Sequence, residues 1–197
     1  MAVVNTEKKF IWIWIAKNAG SVIFSHPEIR KDNEHKAGNH ETYKEIESQI
    51  KNPDDFFKFV FCRNPYDRLV SAYFHFCKYH NFTAFPDFDC FILNNFKDEQ
   101  GGHSMESSHT HLSTYKRKNL ATGSIEHNDH FNTQTSYLTN KKNEINFDFI
   151  GKQENMKQDF EDICQIIGIE VIENKVINST PHKDYRFYFE GKNSEKK

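Results

Sequence analysis

Residues 10–15, Phe-Ile-Trp-Ile-Trp-Ile, are apolar without a break and end at Lys17-Asn-Ala-Gly-Ser21. A continuous aromatic and β-branched run predicts a strand buried on both faces, the kind found in parallel sheets. Phe56-Phe-Lys-Phe-Val-Phe-Cys62 predicts a second such strand, and Ile145-Asn-Phe-Asp-Phe-Ile-Gly151 predicts a third strand of the sheet. Between the strands the spacing turns helical. Tyr43, Ile46 and Ile50 mark a short amphipathic helix that Asn52-Pro-Asp-Asp55 breaks. Asn64-Pro65 opens another, with Asn as cap, Pro at the first position and Asp67 in the first turn, running to about Tyr79. Phe88–Phe96 predicts a further helix. Met156, Phe160, Ile163, Cys164 and Ile167 share one face of a helix from about Gln153, closed by Gly168. Residues 26–42 are polar and predict loop. Strand and helix alternating three times predict an α/β fold of three layers with a central parallel sheet.

One stretch departs from this rhythm. From Asp98 to Asp129 apolar residues are sparse, and Gly101–His130 holds five of the eleven histidines. Excursions of this length are commonly functional lids. There is no internal repeat and no linker, so residues 1–197 read as a single domain with a polar lid at about 98–130. The tail ends in an aromatic cluster, Tyr185-Arg-Phe-Tyr-Phe189, a pattern expected of core.

Composition narrows the class. Only 37% of residues are apolar, but 19 Phe, 8 Tyr and 2 Trp are enough to build a core. The net charge of −2 argues against a dedicated nucleic-acid binder. None of the four cysteines forms a C-x-x-C pair, so neither a zinc knuckle nor a redox motif is indicated. Cys62, Cys77 and Cys164 lie in apolar runs and are expected as reduced core residues. The longest apolar run, Phe10–Ala16, is too short to span a membrane and lacks the flanks of a secretory signal. A soluble protein acting in the cytoplasm is expected. No pattern in the chain specifies an oligomeric state.

Two constellations carry chemistry. In Ala16-Lys-Asn-Ala-Gly-Ser21, small residues after a buried strand allow a tight turn that exposes successive N–H groups. With Lys17 they make an anion site. The motif is not G-x-x-x-x-G-K-[ST], nor does an acidic strand end suited to a divalent metal accompany it. The second constellation is Phe61-Cys-Arg63-Asn-Pro-Tyr-Asp-Arg68-Leu-Val-Ser71-Ala-Tyr73. Arg63 leaves the end of a buried strand, where open α/β sheets place their ligands. Ser71 lies two helical turns past Asn64 and so shares the face of the cap, from which it can share an anion with Arg63.

Together, K-x-A-G-[ST] after the first strand and R-N-P-x-[DE]-R-L-V-S-x-Y after a later one resemble the carbohydrate sulfotransferase family. The likeness is greatest to the branch of heparan sulfate 2-O-sulfotransferases and their bacterial and viral relatives. Asn39-His40-Glu-Thr-Tyr-Lys-Glu-Ile46 resembles the family's histidine segment, and His130-Phe-Asn-Thr-Gln134 its His-aromatic-x-Pro-Gln segment. Phe149-Ile-Gly-Lys-Gln-Glu-Asn155 resembles its F-I-G-[KR]-x-E-N junction, and Asn178-Ser179 its C-terminal Asn-x-Ser. Two positions depart: Val22 stands where a second hydroxyl is usual and Thr133 where Pro is usual.

The resemblance implies a P-loop-NTPase-like fold and a sulfuryl donor, 3′-phosphoadenosine 5′-phosphosulfate (PAPS), used without a metal. Lys17, Asn18, Ala19, Gly20, Ser21 and Val22 are then the loop for its 5′-phosphosulfate. Arg63 and Ser71 are the site for its 3′-phosphate, and Asn178 and Ser179 close over the nucleotide. The acceptor is a hydroxyl on a glycan or another molecule. A base for that hydroxyl needs a pKa near neutrality, which favours histidine. His40 matches the family's base segment, and His130 is the second choice. His130 and Gln134 are assigned to acceptor binding, and Lys17 to the charge that grows on the leaving oxygen. His109-Thr-His111, with His103 and His127, has no accompanying zinc-ligand spacing, so a metal-free lid is expected. Two alternatives stand beside this reading: a P-loop-like kinase using ATP, and a non-catalytic nucleotide-binding protein of the same fold.

Overall fold

The computed structural model describes residues 2–31, 41–79, 87–95, 117–118, 125–126, 130, 132–172 and 180–190. The chain divides into two compact units, Met1–Asn64 with Thr133–Ser179, and Pro65–Asn132 with Thr180–Lys197.

The first unit is built on a four-stranded sheet of β1 (Ala2–Asn5), β2 (Phe10–Ile13), β3 (Phe57–Cys62) and β6 (Phe149–Lys152), in the spatial order β1-β2-β3-β6. β2 pairs parallel to β3 with Trp12 opposite Phe59, and β3 pairs parallel to β6 with Phe61 opposite Gly151. β1 corrects the expectation of a wholly parallel sheet. It pairs antiparallel to β2, Ala2 opposite Ile13, because a turn of four residues can only return the chain alongside itself.

Alternation along the strands then fills two cores. Val3, Phe10, Trp12, Phe59 and Phe61 face α1 (Gly20–Phe24), α2 (Pro27–Lys31) and α7 (Met156–Ile167), which contribute Ile23, Ile29, Phe160, Ile163 and Ile167. Ala2, Val4, Ile11, Ile13 and Val60 face α3 (Tyr43–Glu47) and α6 (Gln134–Leu138), which contribute Tyr43, Ile46, Tyr137 and Leu138. Helices thus lie on both faces of the sheet, and the strands carry apolar residues on both sides for that reason.

Local signals set the helix ends. Thr42 and Glu45 form a capping box at the start of α3. Gly168 closes α7 in the left-handed region at φ 67°, with Ile169 N–H returned to the Cys164 carbonyl. Gly151 has a packing reason instead: a Cβ there would sit 2.7 Å from the Phe61 ring. The loop expected over 26–42 contains α2, whose single apolar residue, Ile29, is fully buried. One buried residue in a turn and a half of helix leaves no periodicity to read.

The second unit holds α4 (Pro65–Tyr79), α5 (Phe88–Asn95), an antiparallel pair β4 (Arg117–Lys118) and β5 (Ile125–Glu126), and α8 (Arg186–Phe189). Val70, Tyr73, Phe88 and Phe91 form its core. The aromatic tail packs into that core, with Tyr188 5.4 Å from both Phe74 and Phe88. All four cysteines are unbridged, Cys164 buried and the others half-buried. Among the described residues, no helix is long and apolar enough to cross a membrane.

Candidate functional site

The turn after β2 is built from two left-handed residues that are not glycine, Lys17 at φ 69° and Ala19 at φ 58°. Asn18 between them is only 2% exposed. Left-handed backbone costs about 1–2 kcal/mol for a residue with a Cβ, so the surrounding contacts must hold this turn in place. Alternating hand is also the geometry that gathers successive N–H groups into one concavity.

Gly20 begins α1 with ordinary helical backbone, so conformational freedom is not what the position requires. Its missing side chain makes room for Trp14: a Cβ on Gly20 would lie 1.9 Å from the indole nitrogen. That indole stacks on Trp12 at 5.5 Å and meets Phe24 at 5.5 Å. Val22 is buried, so its side chain belongs to the core, while Ser21 is half-buried.

The second element of the site is the end of β3. Arg63 Nη1 donates to the Lys17 carbonyl at 2.9 Å, which ties the arginine to the turn after β2. Main-chain groups here are held by side chains. Gln134 Oε1 accepts from Arg63 N–H at 2.9 Å, and Gln134 Nε2 donates to the Arg63 carbonyl at 2.8 Å. Asn18 Nδ2 donates to the Phe61 carbonyl and to Gln134 Oε1, both at 2.7 Å. Asn64 N–H donates to Glu154 Oε1 at 2.6 Å. The carboxylate of Glu154 is therefore engaged with main chain. Lys17 and Arg63 bring two positive charges to these adjoining strand ends, a chemistry suited to an anion.

Of the residues expected from sequence, Lys17, Asn18, Ala19, Gly20, Ser21, Val22, Arg63 and Gln134 are all in the first unit, and Lys17, Asn18, Arg63 and Gln134 form one bonded cluster. Ser71 lies on α4 in the second unit and is 6% exposed. His130 is also in the second unit, its ring stacked on His75 at 5.3 Å. His40, Asn178 and Ser179 lie outside the described residues, as do His103, His109, His111 and His127. Gln134, expected with the acceptor, bonds through its amide to Arg63 and Asn18. The sequence did not signal the bond from Glu154 to Asn64, although Glu154 sits in the motif Phe149-Ile-Gly-Lys-Gln-Glu-Asn155. The role of Trp14 had no sequence signal, because it depends on a ring folding back over a residue six positions on.

Among the described residues there is no group of three or more His, Cys, Asp or Glu side chains able to hold a metal ion. Burial pushes the Tyr43 hydroxyl up to about 12 and raises that of Tyr73, which also hydrogen-bonds Cys77. Both phenols are core groups of their own units and stay neutral through the physiological range.

No curated protein and no solved structure matches the chain. The model of the Sulfotransferase family matches residues 1–197, the whole length. A turn of alternating hand after one parallel strand, bonded to an arginine at the end of the next, accords with that match, and the chain belongs to the sulfotransferase family.

Proposed function

We propose that this sulfotransferase takes its sulfuryl group from PAPS and transfers it to a hydroxyl of a glycan or another acceptor, on a P-loop-like scaffold. The observation that carries the reading is the bond from Arg63 Nη1 to the Lys17 carbonyl. It joins the two motifs that the resemblance assigns to opposite ends of one nucleotide. The donor set supports an anionic ligand, since Lys17, Ser21 and Arg63 supply N–H and O–H groups. The nearby carboxylate of Glu154 is taken up by Asn64 N–H.

When bound, PAPS supplies an activated sulfuryl group on a phosphate leaving group. Lys17 and the N–H groups of the turn hold the 5′ end and offset the charge that grows on the bridging oxygen. Arg63 contacts the 3′-phosphate, and Ser71 is assigned to the same group by the motif it shares with Arg63. His40 accepts the proton of the attacking hydroxyl. Asn178 and Ser179 are assigned to the nucleotide and His130 to the acceptor. Acceptor choice is assigned to the polar stretch at about 98–130, within one sulfotransferase domain.

Calorimetric titration tests this directly. Adenosine 3′,5′-bisphosphate should bind the native chain, while ATP with magnesium should not bind appreciably. Arg63→Ala should weaken bisphosphate binding by about 2–4 kcal/mol and Ser71→Ala by about 1 kcal/mol. Equal affinity for nucleotides with and without a 3′-phosphate would count against the assignment. Preference for ATP with magnesium would favour a kinase instead.

A further inference from the structure

The side-chain amide of Gln134 makes the bonds that a neighbouring strand would make. It accepts from Arg63 N–H at 2.9 Å and donates to the Arg63 carbonyl at 2.8 Å. The ladder between β2 and β3 ends at Ile13 opposite Val60. Past that point β2 turns away, and main-chain groups on the side it leaves are met by side chains. The Phe61 carbonyl accepts from Asn18, and both main-chain groups of Arg63 bond to Gln134. Gln134 Oε1 also accepts from Asn18 Nδ2, so one amide joins the end of β3 to the buried centre of the Lys17–Ala19 turn.

We propose that Gln134 is a positioning residue for the anion site. It fixes the Arg63 main chain, and with it the direction in which the guanidinium leaves the sheet, and it holds that arginine in register with the turn through Asn18. An arginine on a loose strand end would sample many directions. One whose N–H and C=O are both clamped starts from a single one, which lowers the ordering cost of binding an anion. The amide is suited to this because it donates and accepts side by side, which neither a carboxylate nor an apolar side chain does. The inference rests on the PAPS reading above, in which Arg63 receives the 3′-phosphate.

Three measurements on the full chain test it. The first is hydrogen exchange at the Arg63 amide without ligand, slow in the native protein and fast in Gln134→Ala. The second is bisphosphate titration. Gln134→Ala should bind roughly tenfold more weakly than native. In the Arg63→Ala background the same replacement should change affinity by less than about twofold, since its target is gone. The third uses Gln134→Glu. At about pH 8 its carboxylate faces the Arg63 carbonyl without a hydrogen to donate. Gln134→Glu should therefore also bind the bisphosphate more weakly than native at that pH.

Equal fold-loss in both backgrounds, or native affinity in Gln134→Glu, means Gln134 does not act through Arg63, and overturns the proposal. Fast exchange at Arg63 in a native protein that binds bisphosphate refutes the clamp itself. Slow exchange with no bisphosphate binding refutes the PAPS reading, and the positioning role falls with it.

Discussion

Replacing Gly20 with alanine puts one methyl group where the Trp14 ring already lies. The new Cβ would be 1.9 Å from Nε1, 2.2 Å from Cδ1 and 2.3 Å from Cε2. Carbon atoms pack at about 3.5–4.0 Å, so the ring or the start of α1 must move by about 1.5 Å. The ring has little freedom, being stacked on Trp12 at 5.5 Å with 13° between planes and lying 5.5 Å from Phe24. Overpacking of this kind costs about 1–3 kcal/mol. For a chain of this length that lowers Tm by roughly 2–12 °C.

Scanning calorimetry of native, Gly20→Ala, Trp14→Ala and the double variant isolates the cause. With the indole removed the alanine methyl has nothing to strike, so a coupling of about 1–3 kcal/mol is expected between the two positions. Because Gly20 directly follows the left-handed Ala19, Gly20→Ala should also weaken bisphosphate binding. Native stability in Gly20→Ala, or the same loss with and without Trp14, would refute the packing argument.

Gly151→Ala brings a Cβ to 2.7 Å from the buried Phe61 ring and should cost about 1–3 kcal/mol; an unchanged denaturant midpoint would contradict this. Burial, with Glu47, Asp54 and Asp148 adding, pushes the Tyr43 hydroxyl up to about 12, so folding favours the neutral phenol. Its contribution is intact below the unfolded value of about 10 and is lost as pH rises from there to about 12. Tyr43→Phe should flatten the alkaline fall in stability over that window, and parallel curves would show that another group causes it. His40→Ala should lower kcat by about 10²–10⁴ with donor affinity nearly unchanged, and abolish the acid limb of the rate profile. Lys17→Ala should damage both binding and turnover. A His40→Ala enzyme with native turnover, beside an inactive His130→Ala, would move the base to His130.

What the sequence disclosed follows the range of the forces involved. α4 and α7 are legible because their signals are local: Asn64-Pro65 at the start of one, a repeated apolar face and Gly168 at the end of the other. The β2 and β3 strands are legible because burial on both faces leaves continuous apolar runs. β1 is not, since Ala2-Val-Val-Asn5 is four residues long and gains its identity only by pairing with β2. α6 hides for the same reason, with Tyr137 and Leu138 its only buried residues. In the site, Lys17 and Arg63 stand in recognisable motifs. The bonds that organise them do not, because Asn18 and Gln134 are 116 positions apart and meet only once the sheet is assembled.

The stack of Trp14 on Trp12 has an optical consequence. These are the two tryptophans of the chain, and one of them lies against Gly20, which follows the Lys17–Ala19 turn. Indole emission from this protein therefore arises at one place, beside the site. The fully buried Trp12 supplies a constant background, and the half-buried Trp14 supplies the part that responds to its surroundings. Two indoles at this separation also couple their strong far-ultraviolet transitions, which gives a dichroic signal sensitive to their mutual angle. A ligand that shifts the turn alters that angle through Gly20. Titrating candidate nucleotides and acceptors should therefore change the indole emission wherever binding moves the turn.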